Sequence, residues 1–454
     1  MNKMEERLAS QNISSLLWSL AIPSIFAQIV SLIYNMVDRM YIGRMPGGAM
    51  AMAAIGLCVP LTTIINAFNG LFGRGGAPLS SIKLGEGNHH EANHILSNSF
   101  ICLAISSIII TLTVLLFKNN ILYMFGASKE TITYATDYIS IYSLGTIFVQ
   151  LTVGLNYFIN AQGFTKFGMM TIMIGALLNI VLDPIFIYGL NMGIKGAALA
   201  TIIAQGVSCI WVLKFLFGKT TILKIEKKLL KPEWRIMKKV LTLGAAPCFM
   251  SATEGLLTIC FNQQLLYYGG NMAVSSMTIM ASMFQLLLLP MEGVAQGSQP
   301  IISYNYGAKN YDRVKKTISL AIKITLTYSI VGTLCMELFP QIFVGLFTSD
   351  PKLMTMASSM LRVYIFGCFI MGANSTCQQT YNSLGEGKRS FFFAFYRKII
   401  LLIPLIFILP LVLPNSLIAV VLAEPISDLI TTITNVNYFR YFIKKKLNNQ
   451  EVLE

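Results

Sequence analysis

Long apolar runs separated by short polar breaks follow one another along nearly the whole chain. The first, Leu16–Ile42 (LLWSLAIPSIFAQIVSLIYNMVDRMYI), carries no charge between Leu16 and Val37, a length that crosses a bilayer. Runs of the same kind predict about twelve spans, roughly 15–43, 50–80, 92–117, 132–161, 167–189, 194–217, 236–268, 272–303, 314–339, 353–383, 392–413 and 416–442. Several exceed the twenty or so residues a bilayer requires, which implies tilt, bending or helix ends standing in water. Pro23 lies early in the first run, where it is expected to bend or break the helix. The pattern predicts an all-α polytopic membrane protein. The start, MNKMEERLASQNISS, is polar and lacks a cleavable signal pattern, so the first helix is expected to remain as an anchor.

Composition supports that class: 55% of the 454 residues are apolar, 12% are charged, and mean hydropathy is +0.64. Soluble domains carry about a quarter charged residues. The net charge of +14 is distributed by topology. Its largest cluster, Lys219, Lys224, Lys227, Lys228, Lys231, Arg235, Lys238 and Lys239, falls between spans six and seven. Others are Lys309/Arg313/Lys315/Lys316, Lys388/Arg389 and the tail Arg440/Lys444/Lys445/Lys446, while the alternate connections near Gly269–Asn271 and Pro414–Asn415 have none. The positive-inside rule then predicts cytoplasmic termini. The basic excess reads as topology and contact with anionic lipid, with no nucleic-acid partner. All eight cysteines lie within apolar runs without ligand spacing and read as packing residues; His89, His90 and His94 read as a solvated loop and not as a metal site.

The chain is written twice. GGAPLSSIKLGEGNHHEA after span two and GSQPIISYNYGAKNYDRV after span eight share Gly75/Gly297, Pro78/Pro300, Gly85/Gly307 and Asn88/Asn310 at one offset of 222. The same offset pairs Phe125 with Phe347, Tyr142 with Tyr364, Gly145 with Gly367, and Asn160, Gly163 and Lys166 with Asn382, Gly385 and Lys388. Two pseudo-symmetric six-helix lobes are predicted, 1–218 and 240–454, joined by a basic cytoplasmic linker, 219–239. Six is even, so both lobes enter from the same side as a parallel repeat. Transporters so built bind substrate between their halves; a channel or a scaffold is the alternative use of such a duplication.

Acids inside apolar runs are costly, so each requires a reason. They are Asp38, Asp183, Glu254, Glu292, Glu337, Glu424 and Asp428. Asp38 has two readings: a boundary residue balanced by Arg39 and Arg44, or a functional carboxylate. Counted from the span ends, Asp38, Asp183 and Thr201 fall at similar depth in the outer part of the first lobe, which favours function. Asn179 shares a helix face with Asp183, and Pro184 frees backbone carbonyls beside it. Two carboxylates, an amide and a hydroxyl suit a proton or a hard cation such as Na⁺, held at Asp38, Asn179, Asp183 and Thr201. The second lobe does not copy these acids: Asp183 maps onto Leu405, and Asp38 onto Asn262. It offers Glu254, Glu292, and Glu424 one turn from Asp428 with Pro425 between, for function or for hydrogen bonding to freed backbone. Arg39 and Arg74 read as the basic residues nearest the spans, Arg74 facing either lipid phosphate or another helix. Met and Phe, at 24 and 28 residues, mostly pack or meet lipid, and a fraction between the lobes would suit bulky amphipathic guests.

The segments Pro23 with YNMVDRMYIG, GGAPLSSIKLGEG, NAQGFTKFGMM, NIVLDPIFIYG, KGAALAT and QPIISYNYGAKNYDRVKK together resemble the multidrug and toxic compound extrusion (MATE) transporters over essentially the full length. The last segment is most similar to the bacterial branch related to staphylococcal multidrug exporters. The resemblance implies a monomeric inner-membrane antiporter of two lobes in a V, exporting small cationic amphipathic drugs in exchange for H⁺ or Na⁺, with no further cofactor. It implies a first-lobe cation site at Asp38, Tyr34, Asn179, Asp183 and Thr201, approached by Asn156, and bending of helix one at Pro23 as protonation changes. It also implies a second-lobe site at Glu254 with an acid on helix ten. Span ten has no acid, so completing that site would fall to Glu424 or Asp428.

Two other functions fit less well. A lipid-linked precursor flippase of the same wider superfamily would want a cationic central cavity, and the spans hold mostly acids. An enzyme would want a Ser/His/Asp set, a metal-ligand cluster or a phosphate loop, and GRGG stands at a helix end without a P-loop lysine.

Overall fold

The computed structural model describes residues 3–448, so the first two residues and the last six of the predicted tail lie outside the described residues. Among the described residues nine helices are long and apolar enough to span a membrane, and two bent helix pairs do so jointly. One of the nine, Trp234–Gly307, is two spans: at Gly270 the backbone leaves helical geometry with φ 65° and ψ −165°, open to glycine and strained for other residues. Twelve spans result. They are α1 (Ile13–Arg44), α2 (Gly48–Gly85), α3 (His89–Met124), α4 (Ile132–Leu144 with Thr146–Ala161), α5 (Thr165–Gly189) and α6 (Ile194–Leu216). In the second lobe follow α7 (234–269), α8 (271–307), α9 (Tyr311–Leu338), α10 (Pro351–Ile365 with Cys368–Ser383), α11 (Gly387–Val412) and α12 (Ser416–Leu447).

The repeat recurs as geometry. α4 bends by 55° after Leu144, and α10 by 48° after Ile365, positions marked by the paired Gly145 and Gly367. A Cβ on Gly145 would lie 2.4 Å from Ile202 of α6, and one on Gly367 2.7 Å from Pro425 of α12. Each glycine therefore lets the sixth helix of its lobe press into the bend. Positive φ is likewise shared by Gly163 (90°) and Gly385 (76°).

The lobes are joined at the end where the basic connections lie. One apolar core there includes Leu16, Leu84 and Phe158 of the first lobe with Val240, Ile301 and Tyr304 of the second. At the opposite end each lobe has its own core: Ile42, Ala54 and Ile187 in one, Leu257, Leu361 and Leu402 in the other. Contact at the closed end is reciprocal. A Cβ on Gly85 would meet the Tyr304 carbonyl oxygen at 1.9 Å, and one on Gly307 the Ile82 carbonyl oxygen at 1.9 Å, the equivalent pair in the other lobe. Gly307→Ala is therefore expected to lower the population of the closed arrangement at least about tenfold. Spin labels at Glu86 and Ala308, in a cysteine-free background, would report this as a longer interlobe distance; an unchanged distribution would show that the glycine contact does not hold the lobes shut.

Pro23 neither breaks nor interrupts α1, which runs as one helix from Ile13 to Arg44. The expected break is opposed by α8, which splints α1 on both sides of the proline. Gly297 brings its backbone against Ala21 and Gly293 against Ile25, close enough that a Cβ would sit 2.7 Å and 2.9 Å from their Cα atoms. The segment between the lobes is also ordered. The Gln162 Oε1 accepts from the Thr221 hydroxyl (2.9 Å) and from the amides of Ile222 (2.8 Å) and Leu223 (2.9 Å). Asn93 and Asn98 of α3 accept from the amides of Lys224 and Glu233, so the strand of chain is strapped along the first lobe before α7 begins.

Candidate functional site

In the first lobe α1, α5 and α6 bring Tyr34, Asp38, Asn179, Asp183 and Thr201 together. Asn179 and Asp183 are one helical turn apart, and both are buried. After Pro184 the helix widens into a π-helical turn, Ile185–Gly189, from which the Tyr188 hydroxyl donates to the Tyr41 carbonyl at 2.6 Å, tying α5 to α1. Gly196 lets α6 approach that turn; a Cβ there would lie 2.7 Å from the Phe186 carbonyl carbon. Thr201 thereby reaches Asn179, whose Nδ2 donates to Thr201 Oγ1 at 3.2 Å and to Asp183 Oδ1 at 3.3 Å, while the Thr201 hydroxyl donates to the Ala197 carbonyl at 3.0 Å.

The Asp38 carboxyl faces Asp183, and the Tyr34 hydroxyl faces Thr201. Three oxygens of the cluster, Asp38 Oδ1, Asn179 Oδ1 and Asp183 Oδ2, are buried without a hydrogen-bond partner among the described residues. No described Lys, Arg or His forms an ion pair with either carboxylate. Inward of the cluster a cavity of about 270 Å³ is lined by Tyr34, Asn156, Asn179 and Thr201. Asn156 belongs to this wall and not to the acid pair: its Nδ2 donates to the Gly168 carbonyl at 3.2 Å.

The second lobe is arranged differently. Arg397 and Lys398 lie inside α11, in a π-helical stretch, Tyr396–Leu402. Arg397 Nε donates to Asp428 Oδ1 at 2.6 Å and its Nη2 to Glu424 Oε1 at 2.7 Å. Lys398 Nζ donates to Glu254 Oε1 at 2.5 Å and to the Met250 carbonyl at 2.9 Å. Adjacent helical residues point about 100° apart, so one cation turns to α12 and the other to α7. The Ser427 hydroxyl donates to the Arg397 carbonyl at 3.0 Å, satisfying backbone within the π segment. Arg39 and Arg74 are therefore not the most deeply placed bases. The signal was present in FFFAFYRKIILLIP, where two cations interrupt an apolar run.

Glu292 stands apart from these pairs. It lines a cavity between the lobes together with Arg74, whose Nε donates to the Tyr157 hydroxyl at 2.9 Å; Arg74 thus faces the protein interior and not lipid. Near the basic end His89 lies 3.5 Å from Glu5 and His94 3.5 Å from Glu233. No group of three or more His, Cys, Asp or Glu positioned for a metal occurs among the described residues.

The MatE family model matches the chain twice, over residues 23–185 and 247–408. The multidrug export protein MepA of Staphylococcus haemolyticus (strain JCSC1435) is 28% identical over 433 residues, which covers 95% of this chain and 93% of that one. The protein of the same name from Staphylococcus aureus (strain NCTC 8325 / PS 47) is 27% identical over 392 residues, 86% of this chain and 85% of that one. Two solved structures share the fold. The crystal structure of MATE in the bent conformation superposes with a TM-score of 0.93 at 23% identity, covering all of both chains. An outward-facing multidrug resistance MATE family transporter of the MOP superfamily gives 0.91 at 22%, covering 99% of this chain and 100% of that one. With the family pattern present once in each lobe and the two-lobed, twelve-span fold shared end to end, the chain belongs to the MatE family.

Proposed function

We propose that this multi-pass membrane protein exports small cationic amphipathic compounds in exchange for H⁺ or Na⁺, by alternating access between its lobes. The observation that carries the coupling reading is the pair of facing carboxylates, Asp38 and Asp183, with orphaned oxygens and no cationic side chain in contact. Burying two such charges unpaired is expensive, so the site favours a bound proton or a hard cation ligated by oxygen. Staphylococcal MepA, a multidrug export protein by name, supports the substrate class. The basic connections support an orientation with the joined end of the lobes in the cytoplasm of a bacterial cell and the other end outside. A lipid-precursor flippase gains less support, because the cations within α11 are paired with acids and Arg74 of the cavity between the lobes shares it with Glu254 and Glu292.

Ethidium flux into everted vesicles, driven in turn by ΔpH and by ΔNa⁺, tests the proposal. Accumulation that responds to one of the two gradients is expected. Flux that ignores both, at rates matching vesicles without the protein, would sink it.

A further inference from the structure

The cavity between the lobes, about 310 Å³, is lined by Glu254, already paired with Lys398, and by two charged side chains that do not pair with each other: Arg74 of α2 and Glu292 of α8. They lie within Coulombic range across the space, yet neither is in an ion pair with any described residue. Elsewhere in the spans opposite charges touch, as in Arg397 with Glu424 and Asp428, and Lys398 with Glu254. Arg74 is also held in place. Its Nε is taken by the Tyr157 hydroxyl, the Tyr157 ring lies 5.1 Å beneath the guanidinium, and the two Nη groups are left facing the cavity. The π-helical turn that carries it, Gly70–Arg74, is wedged by close approaches of Gly70 to Pro247 and of Gly73 to Gly154. A planar fork with two free donors fits a carboxylate, and a free carboxylate on the facing wall fits an ammonium or amidinium.

We propose that this cavity is a receptor for zwitterionic amphiphiles, a guest carboxylate lying on the Arg74 fork and its cationic group on Glu292. Arg74, Tyr157, Asn160 and Gln296 also line the first-lobe cavity, so the two cavities adjoin on the side of the Asp38–Asp183 cluster. The inference rests on the exporter reading for its physiological meaning, and its test separates the two. Rhodamine 110, with a free benzoic acid, and rhodamine 123, the same fluorophore with that carboxyl methylated, form a matched pair. Binding of each to the full-length protein in nanodiscs is read by fluorescence anisotropy, and uptake of each by everted vesicles.

The ratio of acid to ester affinity is expected to fall at least about tenfold in Arg74→Gln, the worth of one charge-assisted contact, and to survive largely in Arg74→Lys, where a cation remains. Glu292→Gln is expected to weaken both dyes alike, because both keep the cation. A ratio that Arg74→Gln leaves within about twofold of wild type overturns the receptor, as does a wild type that binds neither dye. The ratio is insensitive to partial misfolding, since inactive protein lowers both affinities together. Wild-type protein that binds the dyes with the expected ratio but accumulates neither overturns the exporter reading and leaves the receptor standing.

Discussion

Asp183→Asn is expected to reduce gradient-driven ethidium flux about a hundredfold, and Asp38→Asn to do the same, because each removes one of two charges that a coupling cation must compensate. Asparagine keeps the size of the side chain and the oxygen that accepts from Asn179, so the packing of α5 against α6 is preserved. Only the charge is lost. A buried carboxylate with an orphaned oxygen and no ion partner does not stabilise the fold, so neither variant should unfold more easily than wild type. The discriminating readout is therefore the gradient response at unchanged stability: wild type accelerates with the driving gradient, and the variants run slowly and indifferently to it. Full gradient response in both variants would remove the first lobe from the coupling mechanism.

The spans were legible because a bilayer imposes length and hydropathy together, and nothing soluble imitates twelve such runs. The lobe pairing was legible at Gly75/Gly297, Gly85/Gly307 and Gly145/Gly367, where a neighbour's close approach, by backbone everywhere except at Gly145, where it is the Ile202 side chain, leaves no room for a Cβ. Their consequences were less so. The length of spans four and ten left tilt, bending or water-exposed ends open, since a glycine within an apolar segment does not announce whether a neighbouring helix will press into it. At Pro23 the missing donor weakens α1 locally, but the helix stays continuous where the α8 backbone packs on either side of it, which no local pattern records.

Depth counting brought Asp38, Asn179, Asp183 and Thr201 together because topology fixes depth along each helix. It could not supply Asn156 with a place, since facing requires rotation about the helix axis as well as depth. Arg397 and Lys398 escaped notice for a related reason. They lie a few residues inside a predicted boundary that already follows Lys388 and Arg389, and they went uncounted among the charges within the spans. The π-helical stretch then turns them inward, where Lys398 meets Glu254, whose partner acid was expected on helix ten, and Arg397 meets Glu424 and Asp428.

Arg397→Leu is expected to cost about 3–5 kcal/mol of stability, because it leaves Glu424 and Asp428 buried one turn apart with no cation between them. Arg397→Lys should recover only part of that loss, since an ammonium cannot reproduce two separately directed donors at 2.6 and 2.7 Å. The triple variant Arg397→Leu/Glu424→Gln/Asp428→Asn removes the acids with the cation, and is expected to return close to wild type. Chemical unfolding of the detergent-solubilised protein measures all three. If Arg397→Leu unfolds with the wild type, or the triple variant with the single, the ion pairs are not what balances these acids. The expected order gives the two lobes opposite solutions to one electrostatic problem. Both bury a pair of acids near the fifth and sixth helices of the lobe; the second neutralises its pair with a guanidinium built into the chain, and the first leaves its pair to be neutralised from solution. Only a pair neutralised from solution can exchange its charge during a transport cycle, which is the ground for proposing Asp38 and Asp183 as the coupling pair and a structural role for Arg397.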